Sequence, residues 1–107
     1  MKRGSIWWVE FDPSVGTEIN KTRPAVIVSN DIANQHLARV VVVPLTSNVS
    51  RVYPGEALVT VEGKKNKAMT DQIMSADKSR LKKKIAELSD VDVVALENAM
   101  KRFFNLL

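Results

Sequence analysis

The chain of 107 residues has no cysteine and a single histidine. Disulfides and thiolate metal sites are therefore excluded, and a site built from several histidines cannot be assembled. The same count excludes a two-histidine acid/base pair of the pancreatic ribonuclease type. Long apolar runs are also missing, since no stretch approaches the ~18 consecutive apolar residues needed to span a bilayer. The start, Met1-Lys2-Arg3-Gly4-Ser5-Ile6-Trp7-Trp8, reaches Glu10, Asp12 and Pro13 before the apolar centre of an export signal could form. No internal repeat is visible, and the only biased tract is Lys82-Lys83-Lys84. These absences set the expectation of a cytoplasmic protein with no membrane segment, no metal and no cofactor.

What is present is globular composition, 45% hydrophobic and 26% charged, on a length that suits one domain covering residues 1–107. The formal net charge of +4 is unevenly spread. Residues 1–84 hold 14 Lys and Arg against 8 Asp and Glu, whereas residues 85–107 hold 2 against 4. The first part is the one that would attract a polyanion, although solubility alone accounts for such a balance equally well.

Patterning predicts a mainly β fold. Ser5–Phe11 is aromatic and β-branched and ends at Asp12-Pro13, so it reads as a strand. An irregular polar loop follows over Ser14–Thr22. Pro24–Ser29 is apolar on both faces and reads as a central strand, with Pro24 at its first position, where a missing N–H spares the ladder. Ser29-Asn30-Asp31 supplies cap chemistry for a short helix to about Leu37. Val40–Leu45 is a third strand interrupted at Pro44, and Glu56–Val61 a fourth. Gly63–Lys67 reads as a turn, Ala68–Ile73 as a fifth strand, Ala76–Arg80 as a short helix or turn, and Lys84–Leu88 as an edge strand. Ser89 with Asp92 resembles a capping box, and Val93, Leu96, Met100, Phe103 and Leu107 form a helical stripe. The sum is a strongly bent antiparallel sheet or small barrel packed by a C-terminal helix.

Several residues can carry chemistry. Arg23, at the mouth of the second strand, keeps its charge and offers a planar fork to an anion; a salt bridge to Glu18 or Asp71 is the alternative. Thr46 and Ser47 end the third strand, where a hydroxyl donates either to a phosphate oxygen or to a turn. Glu18 accepts hydrogen bonds from base amino groups or is simply solvated. Gln72 bonds a base or backbone. Trp7 and Trp8 point to opposite faces, one into the core and the other towards a base or a second subunit. His36 is read as a solvated or helix-capping side chain.

Taken in order, Arg3-Gly4-Ser5-Ile6-Trp7-Trp8-Val9, Gly16-Thr17-Glu18, Thr22-Arg23-Pro24-Ala25-Val26-Ile27-Val28-Ser29-Asn30, Val43-Pro44-Leu45-Thr46-Ser47, and Asp71-Gln72-Ile73 to Asp77-Lys78-Ser79-Arg80-Leu81 resemble the PemK/MazF toxins. The resemblance covers the whole chain. It implies an SH3-like, strongly twisted β-barrel with short helices and a C-terminal α-helix, associating as a homodimer. It also implies a sequence-specific, ribosome- and metal-independent endoribonuclease acting on single-stranded RNA and held inactive by an acidic antitoxin. Arg23 and Thr46 fall on the family's catalytic pair, and Thr17, Glu18, Ser47, Gln72 and Lys78 on its RNA contacts. Ile19 stands where glutamine is common and Met74 where arginine is common, which alters the expected cleavage sequence more than the reaction; Thr17 keeps the hydroxyl of the usual serine. The competing expectation is a non-enzymatic toxin resembling CcdB, which has the same barrel and binds DNA gyrase, because function lies in the site and not in the fold.

Overall fold

The structure is a computed structural model that describes residues 1–106; Leu107, last in the predicted helical stripe, lies outside the described residues. Seven strands form one curled antiparallel sheet: β1 (Ser5–Glu10), β2 (Thr22–Ile27), β3 (Arg39–Thr46), β4 (Ala57–Val61), β5 (Lys64–Ala68), β6 (Met74–Asp77) and β7 (Leu81–Glu87). Their order is β4-β5-β3-β2-β1-β7, with β6 also paired to β3. Helix α1 (Asp31–His36) links β2 to β3, and α2 (Asp90–Phe103) closes the chain. No helix among the described residues is long and apolar enough to cross a membrane.

The apolar pattern of TRPAVI explains why β2 is central. Val26 points into one core cluster with Ile6, Val43, Leu45 and Val59, while Ala25 and Ile27 point into another with Val9, Phe11, Val40 and Val42. A strand buried on both faces reads as a continuous apolar run. Trp7 packs against the second cluster and its indole N–H donates to Ser5 Oγ at 3.0 Å, so this is the inward tryptophan; Trp8 stays 40% exposed.

Capping sets the helix ends as the sequence predicts. Asn30 Oδ1 accepts from Ala33 N–H at 2.8 Å, and Ser89 Oγ from Asp92 N–H at 3.2 Å. The Asp92 carboxylate, however, does not turn back to its own cap. It accepts the N–H of Thr60 at 2.8 Å, an edge donor of β4, and so ties the helix start to a sheet edge that would otherwise be open. Leu96 and Ala99 are the buried members of the α2 face, Val93 and Met100 are partly buried, and Phe103 is 46% exposed. Gly55, at φ +90, packs so closely on the end of α2 that an added Cβ would lie 3.1 Å from Phe103 Cβ.

Three expectations need correction. Pro24 lies third in β2, not first. It faces Trp8 of β1, and the pairing of β2 with β3 starts only at Ala25, so the missing N–H falls where β3 asks for no donor. Gly63–Lys67 is not a turn: Glu62 and Gly63 alone, at φ 49 and 79, make a two-residue hairpin between β4 and β5. Positive φ at both positions is the twist such a hairpin requires. Ala68–Ile73 is not a strand either, because Thr70–Gln72 is a single 3-10 turn and the strand resumes at Met74. The reason is Pro44. Beyond it β3 pairs with β5 at Leu45 and Thr46, and before it with β6 from Arg39 to Val42. Three steps along β3, Leu45 to Val42, match six along the partner, Ala68 to Met74, so three residues bulge out opposite the proline. Pro44 still accepts from Met69 N–H at 2.9 Å, and the Thr70 hydroxyl donates to the Gly55 carbonyl, which holds the bulge.

Candidate functional site: a cleft where β2 and β3 part

The pairing of β2 with β3 runs Ile27↔Val42, Val26↔Val43 and Ala25↔Pro44, and then stops. Continued two steps, the same register sets Arg23 opposite Thr46. The two strands part at this point over a cleft of about 500 Å³, lined by Trp8, Arg23, Pro24, Thr46, Ser47, Glu62, Lys64 and Asn66 among others. Residues 23 apart in sequence are thus brought together by strand pairing, not by a loop. That placement is rigid, because Ala25 and Leu45, just inside the cleft, are fully buried.

Arg23 is half-buried and makes no salt bridge among the described residues, so the predicted ion pair with Glu18 or Asp71 is absent. Its Nε donates to the Asn20 carbonyl at 3.1 Å and Nη2 to Asn20 Oδ1 at 3.5 Å. These bonds orient the guanidinium without neutralising it. Lys21, just before, takes φ 64, a conformation that a side chain makes costly, and its carbonyl accepts from Phe11 N–H at 2.8 Å to fix the entry into β2. Thr46 Oγ1 accepts from Asn48 N–H at 3.2 Å. That bond uses a lone pair and leaves the hydroxyl hydrogen free to donate, so the turn role and a donor role coexist in one side chain.

The other predicted residues gather elsewhere. Gln72 clamps the β1–β2 loop: Ile19 N–H donates to its Oε1 at 3.2 Å, and its Nε2 donates to the Thr17 carbonyl at 3.4 Å. Glu18 folds onto the same loop, its Oε1 accepting from Val15 N–H at 2.7 Å. Glu18, Ile19, Asp71, Gln72 and Met74 line a second hollow of about 290 Å³ that shares no lining residue with the first. The loop joins the two, since Thr17 and Ile19 bind Gln72 while the next residue, Asn20, holds Arg23. Lys78 lines neither hollow; its Nζ donates to the Asn34 carbonyl at 2.5 Å. His36 Nδ1 bonds the Ile32 carbonyl at 2.8 Å in the last turn of α1.

Glu62, Lys64 and Asn66 belong to the cleft but were not singled out from sequence. The signal was there in the spacing of Val59, Val61, Glu62-Gly63 and Ala68, which is that of a two-residue hairpin. Among the described residues no group of three or more His, Asp or Glu side chains is close enough to hold a metal ion.

Fold and cleft together define a small curled-sheet protein that presents an unneutralised guanidinium beside a free hydroxyl, a pairing suited to a phosphodiester. The chain belongs to the PemK-like, MazF-like toxins of type II toxin-antitoxin systems, whose family model matches residues 2–104. It is 41% identical to endoribonuclease MazF9 of Mycobacterium tuberculosis over 99% of this chain and 98% of that protein. It is 31% identical to endoribonuclease MazF of Staphylococcus epidermidis over 94% of this chain and 88% of that one. Among solved structures it resembles an endoribonuclease in complex with its cognate antitoxin from a mycobacterial species, with a TM-score of 0.84, 22% identity, and 100% and 97% of the two chains covered.

Proposed function

We propose that the chain is the endoribonuclease toxin of a type II pair, cutting single-stranded RNA at the Arg23–Thr46 cleft. The observation that carries this is the register: extended two steps past Ala25↔Pro44, it sets Arg23, which has no ion-pair partner among the described residues, opposite Thr46, whose hydroxyl hydrogen is free to donate. The likeness to two endoribonucleases supports the activity.

RNA carries its own nucleophile. When the 2′-OH attacks the adjacent phosphorus, an O2′–P bond forms and the P–O5′ bond breaks. The 2′ proton is removed and the 5′ oxygen takes one up, leaving a 2′,3′-cyclic phosphate and a 5′-OH. The scheme needs alignment and charge stabilisation, and calls for neither metal nor ribosome. Arg23 holds the phosphoryl oxygens through its fork, and Thr46 donates to the same oxygens. A guanidinium holds its proton firmly and makes a poor base, so the part Arg23 plays is charge stabilisation and alignment. Ser47 and the loop of Thr17 and Glu18 meet flanking nucleotides, with Gln72 holding that loop. Lys78 reaches RNA only by releasing the Asn34 carbonyl.

Control follows from charge. An acidic antitoxin laid over Arg23 and Lys64 would exclude RNA, as befits a family with antitoxin-bound members. The family resemblance further supports a homodimer acting in the cytoplasm. The test is Arg23→Ala on end-labelled RNA. Loss of cleavage by at least a hundredfold supports the reading; equal cleavage by variant and wild type would show a contaminant, and an inactive wild type that inhibits gyrase would favour the CcdB-like alternative.

A further inference from the structure

Alternate residues Lys64, Asn66 and Ala68 share one face of β5, exposed at Lys64 and buried at Asn66 and Ala68. Asn66 sits directly opposite the fully buried Val59 and is itself only 8% exposed. Asparagine is a poor strand former, and an amide in an apolar row costs stability unless its polar atoms are matched. Here one match is weak: Nδ2 donates to the Lys64 carbonyl at 3.3 Å. Oδ1 has no partner among the described residues, yet no buried side-chain polar atom there is left without one. Oδ1 is therefore not sealed from solvent, and Asn66 lines the Arg23–Thr46 cleft.

We infer that Asn66 is a specificity-determining residue that reads one nucleobase beside the scissile phosphate, an inference that rests on RNA cleavage at this cleft. The bond to Lys64 fixes the amide so that Oδ1 faces outward as an acceptor, next to a second Nδ2–H that can donate. Its complement on the Watson–Crick edge is an exocyclic amino group beside an unprotonated ring nitrogen, which adenine and cytosine have there and guanine and uracil lack. Trp8, exposed in the same cleft, offers the face on which such a base stacks. The cleft volume of about 500 Å³ is that of a small-ligand site.

The test begins with wild-type protein on randomised RNA, with 5′-OH ends mapped to find the positions that restrict cleavage. One position adjoining the cut is expected to demand adenine or cytosine. The substrate is then remade with the amino group deleted at that position, as purine for adenine or 2-pyrimidinone for cytosine. Deletion lowers wild-type kcat/KM by about ten- to a hundredfold. Asn66→Ala lowers it similarly on the parent RNA, and combining the two adds little. Additive losses, or a site confined to guanine and uracil, would overturn the inference while leaving cleavage intact. If folded wild type cuts no RNA, the underlying functional reading falls with it. Because removing a buried amide can disturb β5, the deleted-amino substrate on unaltered protein stands as an independent arm, and an unchanged rate there also refutes the assignment.

Discussion

Replacing Thr46 by valine separates the two roles its hydroxyl combines. Valine keeps the branched shape of threonine in a half-buried strand end, so packing changes little. Two bonds are lost. The first is the 3.2 Å acceptance from Asn48 N–H, long and exposed, and worth at the low end of about 0.5–1.5 kcal/mol. The second is the proposed donation to a phosphoryl oxygen in the transition state, and removing one donor of that kind lowers kcat by about 10²–10³, or roughly 2.7–4 kcal/mol. Single-turnover cleavage of end-labelled RNA measures the second loss, and urea denaturation the first. Expected is a large fall in rate with a stability change below about 1 kcal/mol, and near-complete rescue of rate by Thr46→Ser, which restores the O–H. A rate loss under about fivefold in Thr46→Val, or one that Thr46→Ser fails to recover, would show that the hydroxyl serves the turn and not the chemistry.

Other consequences can be checked without RNA. Leu96→Ala, which empties a position 3% exposed between α2 and the sheet, should cost about 2–5 kcal/mol by denaturant unfolding; a cost below 1 kcal/mol would mean α2 is loosely docked. Glu56→Gln should cost about 1–3 kcal/mol, since Glu56 and Lys67 form a largely buried pair at 3.5 Å and the change leaves the Lys67 ammonium with the Arg51 carbonyl and the Tyr53 ring but no counter-charge; no change would place that pair in bulk-like solvent. Asp77 accepts from the side chain and the backbone N–H of Ser79, and these bonds, helped by Arg80, hold its carboxyl below the ordinary range. A depressed folded value means the contribution is present above the unfolded value of about 3.9 and is lost as pH falls through the folded one. The deficit of Asp77→Asn should then be constant at neutral pH and shrink below about pH 4; a deficit that persists at lower pH contradicts this assignment.

Much of the fold can be read from residues whose neighbours in sequence decide their state. SIWWVEF, the Asn30 and Ser89 caps and the α2 stripe are of that kind, and so is the two-faced apolar run of β2. KKNKA is not, because lysine and asparagine are weak strand formers and β5 exists only through its two partners, β4 and β3. AMTDQI reads as one strand in the sequence, but the break at Thr70–Gln72 answers Pro44, some 26 residues earlier, which no local pattern reports. The site divides the same way. Arg23 and Thr46 are visible as a strand mouth and a strand end, yet their apposition is a matter of register, and Asn66 is hidden until β5 is known to be a strand. Arg23's freedom from Glu18 and Asp71 likewise comes from where the loop folds: Glu18 is turned to Val15, and Asn20 holds the guanidinium.

On the proposed reading, this chain cleaves RNA by directing the 2′-OH onto the neighbouring phosphorus at Arg23 and Thr46. The most direct measurement uses one RNA carrying a mapped cleavage site, prepared with ribose throughout and again with a single 2′-deoxy nucleotide 5′ to the scissile phosphate. Expected is cleavage of the first, with 2′,3′-cyclic phosphate and 5′-OH ends, and no cleavage of the second at that position. Cleavage of the deoxy substrate there, or ends bearing a 5′-phosphate, would contradict it.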